Sequence, residues 1–597
     1  METFIKDLRF AIRGLRRTPG FTVAAVLALA LGIGATTAIF SVVHAVLLQS
    51  LGFGDEQRLV WVTAEQRGYG WKHGGLSPPE VVTDLRAFPL FEASGGVTRQ
   101  TASLLTDRAE RVEILAVTSG FFEALRVQPL FGRTFTHAED MKGNDGVVLI
   151  SASAWRRRFG ADPSVVGRTI TLDGRPHQII GVLPEGFSYD GQRDFCRPIG
   201  FSQEQVSNAR GYRFIEVVAR LRPGVTLEAT RKALSALAAR IVQDHPNNYP
   251  KEFGWGLLAD PIRDRFTSTT REPLLVLLGA VLLVLLIACA NVANLLLARS
   301  AQRGREFAVR AAIGASRARI VRQLLTEGLA MAVAGATLGL MLAMWSLSAL
   351  LASAPRQIRD LGNARLSAPV LGFSIALTGV TTLIFALLPA LRASKVDLVS
   401  SLKDGAHGTA HGGRLRSFLV AAQVAISIFL LAGAGLMLRS FGRLVSVSPG
   451  FEVEGAMTAV LAPAGPTYDM GDGDVGGTLP GYAARRRYFA DAIRAASALP
   501  GAQATGGIDR VPTVRGWSQT YFIEGFELRP GEPNPTDEMR FVMPGYFAAM
   551  RQPLIAGRDF TAADDAKAGP VVIVNQAWVR RYFPGRDVIG KRFRIDE

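Results

Sequence analysis

Five stretches of this 597-residue chain contain no Asp, Glu, Lys or Arg, and each is long enough to cross a lipid bilayer. A membrane-spanning helix needs about 20 apolar residues, because the hydrocarbon core of a bilayer is about 30 Å thick. The first stretch is too long to be the apolar core of a signal peptide, so we expect it to stay in the protein as a helix. The five predicted transmembrane helices are 21–48, 273–298, 328–354, 366–391 and 417–438.

The spacing of these helices predicts the domain organisation. A large region of mixed composition, residues 49–272, separates the first helix from the second, and three helices then follow closely. A second mixed region, residues 439–597, follows the fifth helix. The predicted fold class is therefore a multi-pass α-helical membrane protein with α+β extracytoplasmic domains. Within the first outer domain, residues 112–190 are rich in short strands, and residues 211–245 predict a strand and then a helix capped by Thr226.

The charge pattern predicts the orientation. Lys and Arg crowd three short segments, which are the N-terminal residues 1–20, the loop 299–327 and the linker 392–416. Cytoplasmic loops carry such an excess of basic residues, so these segments and the N-terminus are expected inside, and both large domains outside. The outer loop with Arg356, Arg359 and Arg365 conflicts in part with this rule. The net charge of +16 is thereby explained by membrane topology, which excludes nucleic acid as a partner.

The second outer region repeats part of the first. SGFFEALRVQPLFGRTFTHAED (119–140) matches PGYFAAMRQPLIAGRDFTAADD (544–565), and two further blocks follow in the same order, at 147–150 with 571–574 and at 155–170 with 578–593. A duplicated unit of one helix, an outer domain and three helices is the simplest explanation. The second unit is incomplete, so we expect a complete chain to carry about 200 further residues and three more helices.

No catalytic, metal or cofactor site is predicted. Residues 585–592 (GRDVIGKR) resemble a phosphate-binding loop, but Arg592 replaces the Ser or Thr that would hold magnesium. The predicted helices lack ionisable residues apart from His44, which argues against an ion-driven transporter. Small residues, including Gly335 with Gly339 and Gly433 with Gly435, favour close helix packing instead.

The inner loop RSAQRGREFAVRAAIGASRARIVRQLLTEG (299–328) carries the sharpest candidate site. Gly314 and Ala315 interrupt a helical pattern, and Ser316 is suited to cap the helix that follows. Phe307, Ile313, Ile320, Leu324 and Leu325 give the loop an apolar side. Composition alone leaves a second interpretation open, in which the loop is an amphipathic helix held to anionic lipid by its arginines.

REFAVRAAIGAS (305–316) resembles the signature of the MacB/FtsX-like ABC transporter permeases. PALRASKVDLVSSLKDG (389–405) resembles the loop after the last helix of a unit in that family, and the N-terminus is similar to the duplicated, acidobacterial-type permeases without a fused ATPase. The resemblance implies a separate ABC ATPase that docks on a cytoplasmic coupling helix. It assigns that docking to Arg305, Glu306, Phe307, Val309, Arg310, Gly314 and Ala315.

The resemblance also implies a function. We expect a non-catalytic permease subunit of the bacterial inner membrane that transmits the work of the ATPase to periplasmic domains by mechanotransmission. Export of an antibiotic, peptide or lipid-linked substrate is the first hypothesis, with a periplasmic adaptor and an outer-membrane channel as partners. Two alternatives stay open: an FtsX-like regulator of a cell-wall hydrolase, and a lipoprotein-releasing permease.

Overall fold

A computed structural model gives the arrangement of the chain. Its contacts divide into two units, one of Met1–Ser50 with Phe266–Ser446 and one of Leu51–Arg265 with Val447–Glu597. The structure describes residues 9, 11, 13, 15–106, 109–191, 193–303, 306, 309, 313, 316–353, 366–387, 390–391, 413–463, 465–468, 480–514, 516–526, 528, 534–565 and 568–595.

The described residues form α-helices and β-strands in the following order. The helices are α1 Pro19–Val43, α2 Gly120–Leu125, α3 Ala152–Phe159, α4 Gln203–Asn208, α5 Leu227–Asp244, α6 Ile262–Thr267, α7 Arg271–Gln302, α8 Arg317–Ser353, α9 Ala368–Thr382, α10 Gly413–Ser446, α11 Pro480–Ser497, α12 Tyr546–Ala549 and α13 Gln576–Tyr582. The strands are β1 Leu59–Gln66, β2 Trp71–Gly74, β3 Phe91–Leu105, β4 Ala109–Val117, β5 Phe131–Gly132, β6 Val147–Ile150, β7 Thr169–Leu172, β8 Arg175–Val182, β9 Phe195–Pro198, β10 Glu216–Leu221, β11 Trp255–Pro261, β12 Trp517–Ile523, β13 Thr536–Met539 and β14 Phe593–Ile595.

The first unit contains the long apolar helices. Within the described part of the chain, five helices have the length and composition to cross a membrane, and each overlaps one of the uncharged stretches. The helices α1 and α9 both end in π-helical turns, at His44–Leu48 and Leu383–Leu387. The five segments are Pro19–Leu48, Arg271–Ser300, Arg317–Ala349, Ala368–Leu387 and Ser417–Ser446.

Glycines bring α1 and α8 into backbone contact. A Cβ atom on Gly339 would lie 2.8 Å from the Ala30 carbonyl oxygen and 2.9 Å from the Gly34 nitrogen. A Cβ atom on Gly335 would lie 2.7 Å from the Leu29 Cβ. The prediction of close packing at these two glycines is therefore confirmed, because only glycine permits this approach.

The same prediction is wrong for the fifth helix. A Cβ atom on Gly433 or Gly435 of α10 would meet nothing within 4 Å in the described part of the chain. Another interhelical contact is polar: the Thr37 hydroxyl of α1 and the Ser374 hydroxyl of α9 lie 3.0 Å apart. A hydrogen bond of this kind pairs two hydroxyl groups that are both buried.

The first outer lobe, residues 51–265, is built on a mixed sheet. Its main strand order is β11-β1-β10-β3-β4-β9-β6-β8-β5, so the first strand of the lobe lies between its last two. Both neighbours of β1 run antiparallel to it, with Val62 opposite Val217 on β10 and Ala259 on β11. Helix α5 covers this part of the sheet through Leu234, Leu237 and Ile241, which join one apolar core.

A second core lies under the strand-rich part of the same lobe. Ile114, Val148, Ile179 and Phe195 of four different strands are fully buried there. The predicted strand richness of residues 112–190 is confirmed by β4, β6, β7 and β8. The predicted strand and helix over 211–245 are confirmed by β10 and α5, and the Thr226 side chain accepts a hydrogen bond from the Ala229 N–H.

Arg220 of β10 is a fully buried cation at the edge of the first core. Its Nε donates to the Ala124 carbonyl at 2.7 Å and its Nη1 to the Asp55 carbonyl at 2.9 Å, and Gly54 accepts a third bond. Burial holds the pKa of Arg220 below its ordinary value. Carbonyl dipoles therefore satisfy the buried guanidinium, which joins β10 to α2 and to the segment that precedes β1.

The second outer lobe repeats local geometry of the first. In the first, Gly95 approaches the start of α2, where an added Cβ atom would lie 2.0 Å from the Phe121 nitrogen. In the second, a Cβ atom on Gly506 would lie 2.4 Å from the Tyr546 nitrogen at the start of α12. The adjoining strand pairs agree as well, with Val97 opposite Val117 in one lobe and Ile508 opposite Val542 in the other.

The loops after α2 and α12 also match. Arg126 and Arg551 both have positive φ angles, of 55° and 47°. Further along each loop, Arg133 forms a two-fold contact with Glu139 at 2.6 and 2.9 Å, and Arg558 forms the same contact with Asp564 at 2.6 and 2.7 Å. In each case the carboxylate also accepts a backbone N–H, from Thr136 or Thr561, at 2.7 Å.

Candidate coupling site

The predicted docking residues lie between α7 and α8. Glu306 and Val309 are among the described residues. The other predicted docking residues lie outside the described residues, and these are Arg305, Phe307, Arg310, Gly314 and Ala315.

The Arg303 guanidinium forms two hydrogen bonds with the Glu306 carboxylate. Its Nε donates to Glu306 Oε2 at 2.8 Å, and its Nη2 donates to Glu306 Oε1 at 3.2 Å. The Nη1 of the same guanidinium donates to both carboxylate oxygens of Glu327 on α8, at 3.2 and 3.1 Å. One arginine at the end of α7 thus joins a carboxylate of the loop to a carboxylate of the next helix.

The environment of Arg303 favours the charged form of its guanidinium. The side chain of Glu327 is only 2% exposed, and that of Arg303 is 18% exposed. Burial alone would lower the pKa of Arg303, but its hydrogen bond to Glu306 and the charge of Glu327 outweigh burial and raise it. Gln323 adds an amide donor to Glu327 Oε1 at 3.4 Å. Each buried charge therefore has partners, which is the condition for stable burial.

Apolar side chains of the segment divide between surface and core. Val309 is 58% exposed and Ile313 is 81% exposed. The Ile313 N–H donates to the Val309 carbonyl at 3.1 Å, so the two residues stand one helical turn apart on the same face. Ile320 and Leu324 are instead buried together. The apolar side predicted for the loop is therefore split, and its first part is open to a partner.

Helix α8 begins earlier than the charge pattern suggested. It starts at Arg317, directly after Ser316, whose carbonyl accepts from the Arg319 and Ile320 N–H groups. The boundary drawn at residue 328 between a loop and a membrane helix thus falls inside one continuous helix. The reason is physical: charged residues mark where a helix leaves the bilayer, but they do not end a helix.

At the end of α7, Arg299 places its guanidinium 4.9 Å from the centre of the Phe21 ring of α1. A cation above an aromatic face is attracted by the ring quadrupole. Together with Arg303, this contact links the last turn of α7 to α1 and to α8. The segment between α7 and α8, called the coupling segment below, therefore begins at a helix end that contacts both α1 and α8.

A Ser, His and Asp cluster lies in the first outer lobe, but it is not arranged for nucleophilic catalysis. The Ser119 hydroxyl donates to Asp140 Oδ2 at 2.7 Å and lies 2.5 Å from His137 Nδ1. In a catalytic triad the serine donates to the histidine, and the histidine donates to the acid. Asp140 here also accepts from the Ser119 N–H and from Arg86, so the cluster fastens the start of α2 to the loop at 137–140.

Two family models match the chain. The model of the MacB-like periplasmic core domain matches residues 22–237 and again residues 417–597. The model of the FtsX-like permease C-terminal domain matches residues 278–398. The chain belongs to the MacB/FtsX-like permease family. In this permease, the FtsX-like match includes the whole segment between α7 and α8.

Curated relatives agree with this assignment. The permease is 28% identical over 286 residues to the pyoverdine export ATP-binding/permease protein PvdT of Pseudomonas syringae pathovar tomato, a match of 47% of this chain and 41% of the relative. It is 25% identical over 310 residues to the macrolide export ATP-binding/permease protein MacB of Chromobacterium violaceum, a match of 51% of this chain and 46% of the relative. Each match thus spans less than half the length of the relative.

A solved structure of the periplasmic region of MacB from Actinobacillus actinomycetemcomitans is also similar to this permease. The match covers 38% of this chain and 97% of that chain, at 15% identity and a TM-score of 0.28.

Two residues of the cluster were missed by the sequence analysis. The coupling segment and the first turns of α8 lie between Arg303 and Glu327 in the sequence, so no local sequence pattern pairs the two residues. A glutamate within an otherwise apolar helical stretch was the available signal, since a buried carboxylate in such a stretch requires a cationic partner.

Among the described residues, no group of three or more His, Cys, Asp or Glu is placed to hold a metal ion.

Proposed function

We propose that this chain is the permease subunit of an ATP-binding-cassette transporter. A separate ATPase binds the segment between α7 and α8 on the cytoplasmic side of the inner membrane. The five apolar helices cross the membrane with the N-terminus inside, and both outer lobes lie in the periplasm. ATP-driven movement of the ATPase displaces the helices, and the outer lobes use that displacement to export a substrate.

The exposed pair Val309 and Ile313 carries this proposal. Exposed apolar side chains one turn apart on a short, positively charged segment have the form of a docking helix that fits an apolar groove. Glu306 lies one turn before Val309 and is fixed by Arg303 at 2.8 Å, so the face is presented in a defined orientation. A partner can drive the permease from one state to another only if it binds one state more tightly, and we assign that role to the ATPase.

We also propose that the permease contains a duplicated unit. The support is the paired geometry of Gly95 with Gly506 and of Arg133 with Arg558, together with two separate matches to one family model. One chain would then supply two outer lobes, where a single-unit permease would supply one.

The experiment is a test of docking in the full chain. Val309→Glu and Ile313→Glu should each weaken co-purification of the ATPase from native membranes by about tenfold or more, because each loses a buried apolar contact and adds a charge. Glu306→Ala and Arg310→Ala should lower ATPase-dependent function with normal membrane insertion. The matched control is Val453→Glu, at a valine that is 63% exposed in the second outer lobe.

Two results would contradict the proposal. The first is that no ATPase accompanies the unaltered protein under conditions that preserve membrane complexes. The second is that Val309→Glu and Val453→Glu retain the ATPase equally well.

Export is the preferred form of this function, because both relatives carry export in their names. Identification of the co-purified partners by mass spectrometry separates the alternatives. A periplasmic adaptor or outer-membrane channel supports export of an antibiotic, peptide or lipid-linked molecule. A cell-wall hydrolase supports the FtsX-like regulator, and enrichment of lipoproteins supports the lipoprotein-releasing permease.

A further inference from the structure

The cluster of Arg303, Glu306 and Glu327 closes the coupling segment into a loop with a fixed base. Arg303 directly follows the last residue of α7, and Glu327 lies in the third turn of α8. The guanidinium joins them through contacts of 3.1 and 3.2 Å, while its other nitrogens hold Glu306 inside the loop. A single side chain therefore connects both ends of the segment and one residue within it.

This connection determines how the segment responds to force. Without it, a push on Val309 and Ile313 would be absorbed by rotation of the backbone before α8, and α8 would stay in place. With it, displacement of the segment must either break a buried ion pair or move α8. Breaking one partner of a buried, hydrogen-bonded pair is strongly unfavourable because it leaves the other charge unpaired.

The path continues beyond the ion pair. Helix α8 meets α1 at Gly339, where an added Cβ atom would lie 2.8 Å from the Ala30 carbonyl oxygen and 2.9 Å from the Gly34 nitrogen, and at Gly335, which faces the Leu29 Cβ atom. Such a contact cannot be compressed by a change of rotamer, so the two helices move together. Displacement of α8 is thereby passed to α1, the helix whose chain continues into the first outer lobe.

We propose that Arg303 and Glu327 form the tie that transfers movement from the coupling segment to α8, and that both act as positioning residues. This inference rests on the proposed function, because the movement is supplied by the docked ATPase. Docking itself uses the exposed Val309 and Ile313 and the orientation that Arg303 gives to Glu306, whereas Glu327 bonds to Arg303 and Gln323. The tie and the docking face are therefore separable by mutation of Glu327.

The test uses the full chain in lipid nanodiscs with the ATPase that co-purifies with it. Hydrogen–deuterium exchange is measured over residues 304–316 and over 317–330, with and without a non-hydrolysable ATP analogue and Mg²⁺. The variants are Arg303→Gln and Glu327→Gln, and the matched control is Arg319→Gln, at an exposed arginine of α8.

In the unaltered protein, the ATP analogue should change exchange in both segments. In Arg303→Gln, the hydrogen-exchange rate of 304–316 should rise by about tenfold even without the ATPase, because the stabilisation from the charged hydrogen bonds is lost. In Glu327→Gln, which keeps the contact of Arg303 with Glu306, the ATP analogue should change only 304–316 and leave 317–330 unaffected, while the amount of bound ATPase stays within about threefold of the unaltered protein. Arg303→Lys retains the charge but not the forked geometry, so it should restore part of the response of 317–330.

The outcomes distinguish the two proposals. If 317–330 responds to the ATP analogue in Glu327→Gln as it does in Arg319→Gln, the tie is refuted although docking stands. If Arg303→Gln and Arg303→Lys lose ATPase binding together with the fold of α8, the cluster is structural and the tie is again refuted. If the unaltered protein binds no ATPase, the proposed function is refuted, and the tie is refuted with it because no docked partner supplies the movement.

Discussion

Replacing Gly95 by Ala should destabilise the first outer lobe severely. The added Cβ atom would lie 2.0 Å from the Phe121 nitrogen, 2.3 Å from the Phe121 Cα and 2.5 Å from the Gly120 carbonyl carbon. All three are backbone atoms at the start of α2, so none can rotate away. The clash can be relieved only by moving the helix or the strand.

The magnitude follows from these distances. Contacts of 3.4 Å or more are ordinary for a Cβ atom and the Phe121 nitrogen would lie at 2.0 Å, so α2 would have to retreat by about 1.4 Å, carrying the fully buried Phe121 and Phe122 with it. Overpacking of a core costs about 1–3 kcal/mol, and a clash with backbone belongs at the upper end of that range. A loss of about 3 kcal/mol lowers the Tm of a lobe of this size by about 6–12 °C.

The second lobe offers the same test. A Cβ atom on Gly506 would lie 2.4 Å from both the nitrogen and the Cα of Tyr546. Gly506→Ala should therefore lower the stability of the second lobe in the same direction. The controls are Gly211→Ala and Gly569→Ala, because an added Cβ atom meets nothing within 4 Å at either position and neither backbone is left-handed.

The assay is thermal unfolding of the full chain in detergent, followed by intrinsic fluorescence, with limited proteolysis to show which lobe opens. Unfolding of Gly95→Ala within about 1 °C of Gly211→Ala would refute the predicted clash with the start of α2. The shared architecture of the two lobes fails if Gly95→Ala opens the first lobe while Gly506→Ala leaves the second as resistant to protease as Gly569→Ala.

Three further predictions concern single positions. Burial raises the pKa of Glu80, and the charge of Arg213 with the hydrogen bonds from Tyr249 and Ser77 opposes this only in part, so stability is lost as the pH rises through the folded pKa. In denaturant titrations, the free energy of unfolding should therefore fall less with rising pH above 4.5 in Glu80→Gln than in the unaltered protein. Gly339→Leu should separate α8 from α1 and lower the yield of folded protein in size-exclusion chromatography, whereas Gly279→Leu, with open space at its Cβ, should not. Burial raises the pKa of the Cys196 thiol to about 12, so iodoacetamide at pH 8 should alkylate it only after denaturation, as mass spectrometry would show.

Local sequence patterns predicted much of the first unit. An uncharged stretch long enough to span a bilayer must satisfy its backbone internally, so a helix is the expected result, and a described helix overlaps each of the five stretches. Gly335 and Gly339, spaced four apart, predicted close helix packing, but not that α1 is the neighbour. The failure at Gly433 and Gly435 shows that a small residue permits close packing but does not supply the neighbour.

Long-range pairing could not be predicted in this way. The Arg303 contact with Glu327 depends on how α7 and α8 pack, and neither residue signals the other in sequence. The helix predicted after Ser316 is present, but its continuity with the membrane helix was not predicted, because the charged residues before 328 were taken to separate the two. In the candidate site, the sequence predicts a docking segment, which stays a prediction, but not the contacts that Arg303 and Glu327 form beside it.

The strand order of the first outer lobe has a consequence for biosynthesis. Strand β1 is among the first parts of the lobe to be made, and β2 pairs with its end soon afterwards, but β10 and β11 are made last. About 200 residues separate β1 from the end of β11, and at a synthesis rate of about 5–20 residues per second β1 waits roughly 10–40 s for these two partners. During that interval the edges of β1 that pair with β10 and β11 are open, which invites aggregation. We therefore expect a chaperone that shields β1 until the residues just before α7 emerge to raise the yield of the folded lobe, and a translational pause placed after β11 to favour its correct folding.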